Sequence, residues 1–129
     1  MIKSYKDLNV WRKADELAGL VFDITEKFPR TYLFNLTDQL RRSALSIPTN
    51  IAEGCASFHS KELLQFLNVA RRSLSETLYL LSFAHKRSLI TQDQMNKLDG
   101  MIEDIGKMIN GLANSIRKKS ITSTKDARK

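Results

Sequence analysis

Gln39-Leu40-Arg41-Arg42-Ser43-Ala44-Leu45-Ser46-Ile47-Pro48-Thr49-Asn50-Ile51-Ala52-Glu53-Gly54 is the stretch on which the reading of the fold turns. At helical pitch it carries two stripes. Leu36, Leu40, Ala44, Ile47 and Ile51 form an apolar one. Gln39, Arg42, Ser46, Asn50 and Glu53, spaced 3, 4, 4 and 3, form a polar one, roughly 120° away. An ordinary amphipathic helix sets a core face against an irregular solvated face. Here the polar face is as regular as the apolar one. Pro48 removes the backbone hydrogen bond that would reach the carbonyl of Ala44, so two readings compete: a break into two helices, or one kinked helix. The apolar stripe stays in phase across the proline, which favours the kink.

Ahead of this stretch, Val10, Ala14, Leu17, Val21 and Ile24 define a first helix over about residues 8–28, widened by Trp11, Ala18 and Phe22. Trp11 reads as a core or interface anchor. Gly19 costs that helix about 1 kcal/mol against alanine. Phe28-Pro29 stops it, because proline biases the preceding residue away from the α region. Tyr32 and Phe34 are expected to pack over the end of the bundle. Asn35 is the expected N-cap of the second helix, with Asp38 completing a variant capping box, and Gly54 marks its fraying end.

Beyond the Ser57-Phe58-His59-Ser60 turn, Ser60 is expected to cap a third helix over residues 61–86. Its stripe is Leu63, Leu67, Ala70, Leu74, Thr77, Leu81 and Ala84, and its length is about 39 Å. Thr91 with Gln94 is a capping box for a fourth helix, along which Met95, Leu98, Ile102, Ile105, Ile109, Leu112 and Ile116 keep heptad spacing. Gly100, Gly106 and Gly111 weaken that helix, so packing must hold it. No strand candidate survives. The expected architecture is all-α: an up-down-up-down antiparallel four-helix bundle over residues 1–116 with a kinked second helix, followed by a basic flexible tail at 117–129.

A chain of 129 residues is long enough for one domain with a real core. The single cysteine, Cys55, allows no internal disulfide and no cysteine-based zinc site. With no signal-peptide core at the N-terminus and no run of about 18 apolar residues to span a membrane, the expected compartment is the cytoplasm. The net charge of +7 suggests nucleic acid, but its distribution is uneven. Six of the 21 basic residues and one of the 14 acidic ones lie in 117–129, leaving 15 against 13, a net of +2, for residues 1–116.

The motifs also resemble a known family. Tyr5-Lys6-Asp7-Leu8-Asn9-Val10-Trp11, Phe28-Pro29, the stretch quoted above, and Phe66-Leu67-Asn68-Val69-Ala70-Arg71-Arg72-Ser73-Leu74-Ser75-Glu76 look like the four-helix bundle family whose founding members are encoded in intervening sequences of bacterial 23S ribosomal RNA genes. The resemblance covers about residues 5–115 and departs at Arg72, where members commonly have glycine. It implies a homopentameric, cyclic assembly without established catalysis. The chain is also similar to accessory variability proteins of diversity-generating retroelements. That likeness implies a basic nucleic-acid-binding surface and a reverse transcriptase as partner.

Enzymatic alternatives find no support in the residues. A di-iron bundle needs Glu-x-x-His pairs. After Glu16, Glu26, Glu53, Glu62, Glu76 and Glu103 the third residue is Gly, Pro, Ala, Gln, Tyr and Gly. A HEPN-type ribonuclease needs an arginine shortly ahead of a histidine, and neither His59 nor His85 has one. There is no phosphate-binding glycine loop, and Cys55 lacks the context of a nucleophile.

The expectation is therefore a protein with no catalytic residues, metal or cofactor, which binds RNA or DNA without strong sequence specificity. Phosphates would lie on Arg41, Arg71, Arg72, Lys86, Arg87, Arg117, Lys118 and Lys119. Trp11, Gln39, Arg42, Ser46, Asn50 and Glu53 would serve the fold and the oligomer. If the polar stripe is buried it needs partners, and Arg42–Glu53, within or between subunits, is the candidate pair. The alternative is an oligomeric protein–protein adaptor that binds no nucleic acid.

Overall fold

The computed structural model describes the backbone of residues 4–127 and the side chains of residues 4–119. Four helices, α1 (Asn9–Thr25), α2 (Asp38–Cys55), α3 (Ser60–Lys86) and α4 (Gln92–Ala127), form the bundle. Each packs against its neighbours in sequence, α4 closes against α1, and α2 with α3 shares the most extensive contact. Short turns between long helices enforce that antiparallel order.

The apolar stripes fill the core. Leu36, Leu40, Ala44, Ile47 and Ile51 are all buried, so α2 runs through Pro48 as one helix with its stripe in phase. The proline is itself buried against the bundle. Thr77 of α3 occupies a core position with 0% exposure. Its hydroxyl is satisfied there by the Ser43 Oγ at 2.9 Å and the Ser73 carbonyl at 2.8 Å, as a buried polar group requires.

Beside that contact lies the inner part of the polar stripe. The Ser46 and Ser73 hydroxyls meet at 2.8 Å across the α2–α3 seam, and the Asn50 Nδ2 donates to the Ser46 carbonyl at 2.8 Å and to its Oγ at 2.9 Å. Ser43, Ser46, Asn50, Ser73 and Thr77 thus clasp the two helices together. Removing the Asn50 amide frees the Ser46 hydroxyl. Asn50→Ala is expected to cost about 1 kcal/mol, the worth of one such hydrogen bond, read as a lowered thermal midpoint.

Several helix ends differ from the sequence expectation. α1 stops at Thr25, where the threonine hydroxyl turns back to the Val21 and Phe22 carbonyls at 2.7 and 3.1 Å. Asn35 is not an N-cap. Residues Leu33–Thr37 form a π-helical turn that runs straight into α2, and the Asn35 Oδ1 instead accepts from the Leu36 N–H at 2.6 Å. Phe34 is 91% exposed rather than packed over the bundle end, whereas Tyr32 packs on the core. Ser60 lies inside α3, and extended His59 precedes it without a side-chain cap. Gly54 does lie in the last turn of α2, one residue before the helix ends at Cys55, but it is buried there rather than frayed.

The Thr91–Gln94 capping box forms as expected, with the Gln94 N–H on Thr91 Oγ1 at 3.1 Å and the Thr91 N–H on Gln94 Oε1 at 2.8 Å. α4 then carries on to Ala127, so residues 117–127, expected as a flexible tail, continue the helix. No glycine or proline between Leu112 and Ala127 interrupts it. Residues 128 and 129 lie outside the described part.

α3 ends on a residue the sequence did not flag. Ser88 has φ of 63°, its N–H bonds to the His85 carbonyl and the Leu89 N–H to the Ala84 carbonyl, each at 2.9 Å. That is a Schellman-type ending without the usual glycine. The left-handed conformation costs serine about 1–2 kcal/mol, and glycine gives back part of that in chain entropy. Ser88→Gly is expected to stabilise the protein by about 0.5–1 kcal/mol, measured as a raised denaturant midpoint.

Candidate nucleic-acid interface

Arg71 of α3 and Arg117 of α4 border the seam between those helices. Both line one shallow depression of about 50 Å³, with Leu64, Leu67, Ile109 and Ala113 as its floor and Asn68 and Asn110 beside it. Arg71 Nη2 donates to Asn68 Oδ1 at 3.0 Å, and Arg117 Nη1 donates to Asn114 Oδ1 at 3.3 Å. These amides orient the guanidinium groups without neutralising them, and each arginine has further N–H donors. The three ion pairs among the described residues, Lys13–Asp104, Arg42–Asp38 and Lys107–Glu103, include neither arginine. Exposed Lys118 and Lys119 follow directly on α4. A depression this small encloses no metabolite, but two forked cations on a surface suit a phosphate laid across them.

The other expected cations do not join this surface. Arg72 is exposed but stands about 100° further round α3 from Arg71. Lys86 and Arg87 lie at the end of α3, where basic charge complements the helix dipole; Lys86 is about 22 Å along the axis from Arg71. Arg87 Nε donates to the Tyr32 hydroxyl at 3.4 Å. Arg41 is half-buried and structural: its Nε donates to Thr25 Oγ1 at 2.9 Å and its guanidinium sits 5.2 Å from the Phe22 ring centroid. It ties α2 to the end of α1, where the cation and the ring favour each other. Periodicity alone could not separate a solvated arginine from one lying on a neighbouring helix.

The outer members of the polar stripe also part company. Arg42 pairs with Asp38 one turn away at 3.2 Å, its side chain 80% exposed. The pairing of Arg42 with Glu53 does not form within the chain, because a carboxylate one turn back on the same helix is nearer to hand. Glu53 and Trp11 line a second groove of about 290 Å³ between α1 and α2, together with Tyr5, Leu45 and Pro48. Tyr5 packs on Trp11 at 4.8 Å between ring centroids, and Leu45 is 49% exposed. Gln39 lines a third groove with Tyr79 and Phe83.

A family model described as the 23S rRNA-intervening sequence protein matches residues 6–111. The chain belongs to that family. Members of the 23S rRNA-intervening sequence protein family are thus the frame for the α1–α4 core, whereas Arg117, Lys118 and Lys119 lie beyond the matched residues. A solved structure from the S23 ribosomal protein family of Bacteroides thetaiotaomicron, a protein with unknown function, is 24% identical. It superposes with a TM-score of 0.76 over 81% of this chain and 95% of its own. At that identity the likeness speaks for the fold. A comparison with curated proteins finds no match.

Within this family member the described residues contain no group of three or more His, Cys, Asp or Glu side chains that could hold a metal. No described helix is long and apolar enough to cross a membrane. Burial pushes the Cys55 thiol above its usual range, which lowers the share of nucleophilic thiolate at neutral pH.

Proposed function

We propose that the protein is a non-catalytic, oligomeric nucleic-acid-binding bundle. Arg71 and Arg117 take phosphates along the α3–α4 seam, and Lys118 and Lys119, on the adjoining faces of α4, add to the attraction. The observation that carries this reading is the placing of two arginines from different helices on one depression, neither of them in an ion pair among the described residues. Like charges placed together repel, and an arriving phosphate relieves that repulsion. Copies associate through the α1–α2 face, where Trp11, Leu45 and Glu53 border a groove; a cyclic pentamer would repeat the basic seam around its rim. RNA or DNA is bound through backbone and shape, since the chain has no base-reading module of the helix-turn-helix or zinc-finger kind. The role fits an accessory factor to ribosomal RNA or to a reverse transcriptase.

The second reading is a protein adaptor, for which Phe34 and Phe58, 91% and 98% exposed beyond opposite ends of α2, are the candidate anchors. Titrating labelled RNA and DNA with the full chain, and with a chain ending at Ile116, separates the two. The proposal expects the shorter chain to keep its bundle folded, losing only the helical signal of residues 117–127, and to bind more weakly. A stable oligomer that binds neither nucleic acid at low salt supports the adaptor.

A further inference from the structure

The groove at the start of α2 and the end of α3 is walled by aromatic rings. Tyr32 comes from the turn before α2, Tyr79 and Phe83 from α3, and together with Asn35, Gln39 and Arg87 they border about 450 Å³. Tyr79 is 64% exposed and Phe83 40%. The size falls within the range of sites for small molecules. No acidic side chain lines it, and its rim carries Arg87, with exposed Lys86 beside it. Exposed Gln39 adds a carboxamide donor and acceptor.

We infer that this groove takes an unpaired nucleobase of a single-stranded nucleic acid. Its ring stacks on Tyr79 and Phe83, its polar edge meets the Gln39 amide, and the adjoining phosphate lies on Arg87. This rests on the nucleic-acid reading above and deepens it by naming the form bound. A base presents flat π-faces and a hydrogen-bonding edge, which match ring walls and an amide. The acid-free, cationic rim matches the phosphate next to it. In a duplex those faces are covered by neighbouring base pairs, so the groove selects strands that are unpaired.

The test measures affinity of the full chain for a single-stranded RNA, a DNA of the same sequence, and a duplex hairpin, with 2-aminopurine in the single strands to report stacking. Tyr79 is exposed, so Tyr79→Ala and Tyr79→Phe leave the core intact. Tyr79→Ala is expected to weaken single-strand binding by roughly 5- to 150-fold, the worth of one base–aromatic stack. Duplex affinity should stay unchanged and 2-aminopurine quenching should fall. Tyr79→Phe should restore both. Quenching by either single strand supports the inference, and the stronger of the two names the source.

Equal losses on single strand and duplex would overturn it, as would single-strand binding indifferent to Tyr79→Ala. A changed assembly mass in Tyr79→Ala would overturn it too, by assigning the groove to a second copy. Should the wild-type chain bind the duplex and show no preference for single strands, only the groove inference fails. If it binds neither form, the nucleic-acid reading fails with it.

Discussion

Gly54→Val is expected to lower stability by about 2–3 kcal/mol, at the upper part of the range for overpacking a core. That is a drop of roughly 8–12 °C in thermal midpoint for a domain of this size. A Cβ at this position would lie 2.8 Å from Leu63 Cδ1 and 3.1 Å from Phe66 Cβ. The Leu63 methyl can swing aside. The Phe66 Cβ is fixed to the α3 backbone, so the helices must part, and parting them disturbs the Ser46–Ser73 and Ser43–Thr77 contacts further along the same seam. Alanine should be milder: its better helix propensity returns about 1 kcal/mol against glycine, so Gly54→Ala nets roughly 0–2 kcal/mol. Valine recovers less of that and adds two methyl groups where there is no room. An unchanged midpoint for Gly54→Val would mean that α2 and α3 do not approach this closely.

The second large effect concerns binding. Arg71→Ala combined with Arg117→Ala is expected to reduce affinity for RNA or DNA by about tenfold per arginine, the size of one charge-assisted contact. It should also lower the slope of log affinity against log salt by about 1.5. Both side chains are exposed, and their side-chain partners among the described residues, Asn68 and Asn114, are exposed as well, so the fold should hold. Arg41→Ala is the contrasting case. It breaks the link to Thr25 and the packing on Phe22, so its effect belongs in stability rather than in nucleic-acid affinity. Anisotropy titrations beside thermal melts of the same variants separate the two roles.

Most of the fold was legible because burial on a helix follows azimuth, and azimuth follows from spacing. Leu36, Leu40, Ala44, Ile47 and Ile51 lie on one line whatever the bundle does, and that line survives Pro48. The Thr91–Gln94 box was legible because both partners sit within one turn. What spacing does not report is which neighbour a side chain meets. Ser46 and Asn50 read as a second face and became a clasp to Ser73, a residue on another helix. Arg71 and Arg72 are adjacent in the chain yet point about 100° apart, so a basic cluster in sequence became two places on the surface. Arg71 and Arg117 stand far apart in the chain, and antiparallel packing brings both to one depression.

Local backbone choices were hidden for a different reason. The π-helical turn at Leu33–Thr37 and the left-handed Ser88 carry no glycine, proline or regular cap to announce them. Gly54 read as a helix end because glycine is common there, and α2 does end one residue later. Only the distance to Phe66 reveals that it makes room for α3.

The most direct measurement is the affinity of the full chain for one labelled RNA across a series of salt concentrations. If Arg71, Arg117, Lys118 and Lys119 each reach a phosphate, log affinity should fall against log salt with a slope of about 3, with strong binding at the lowest salt. A flat dependence, or no binding at the lowest salt by a chain of normal helical content, would contradict the account.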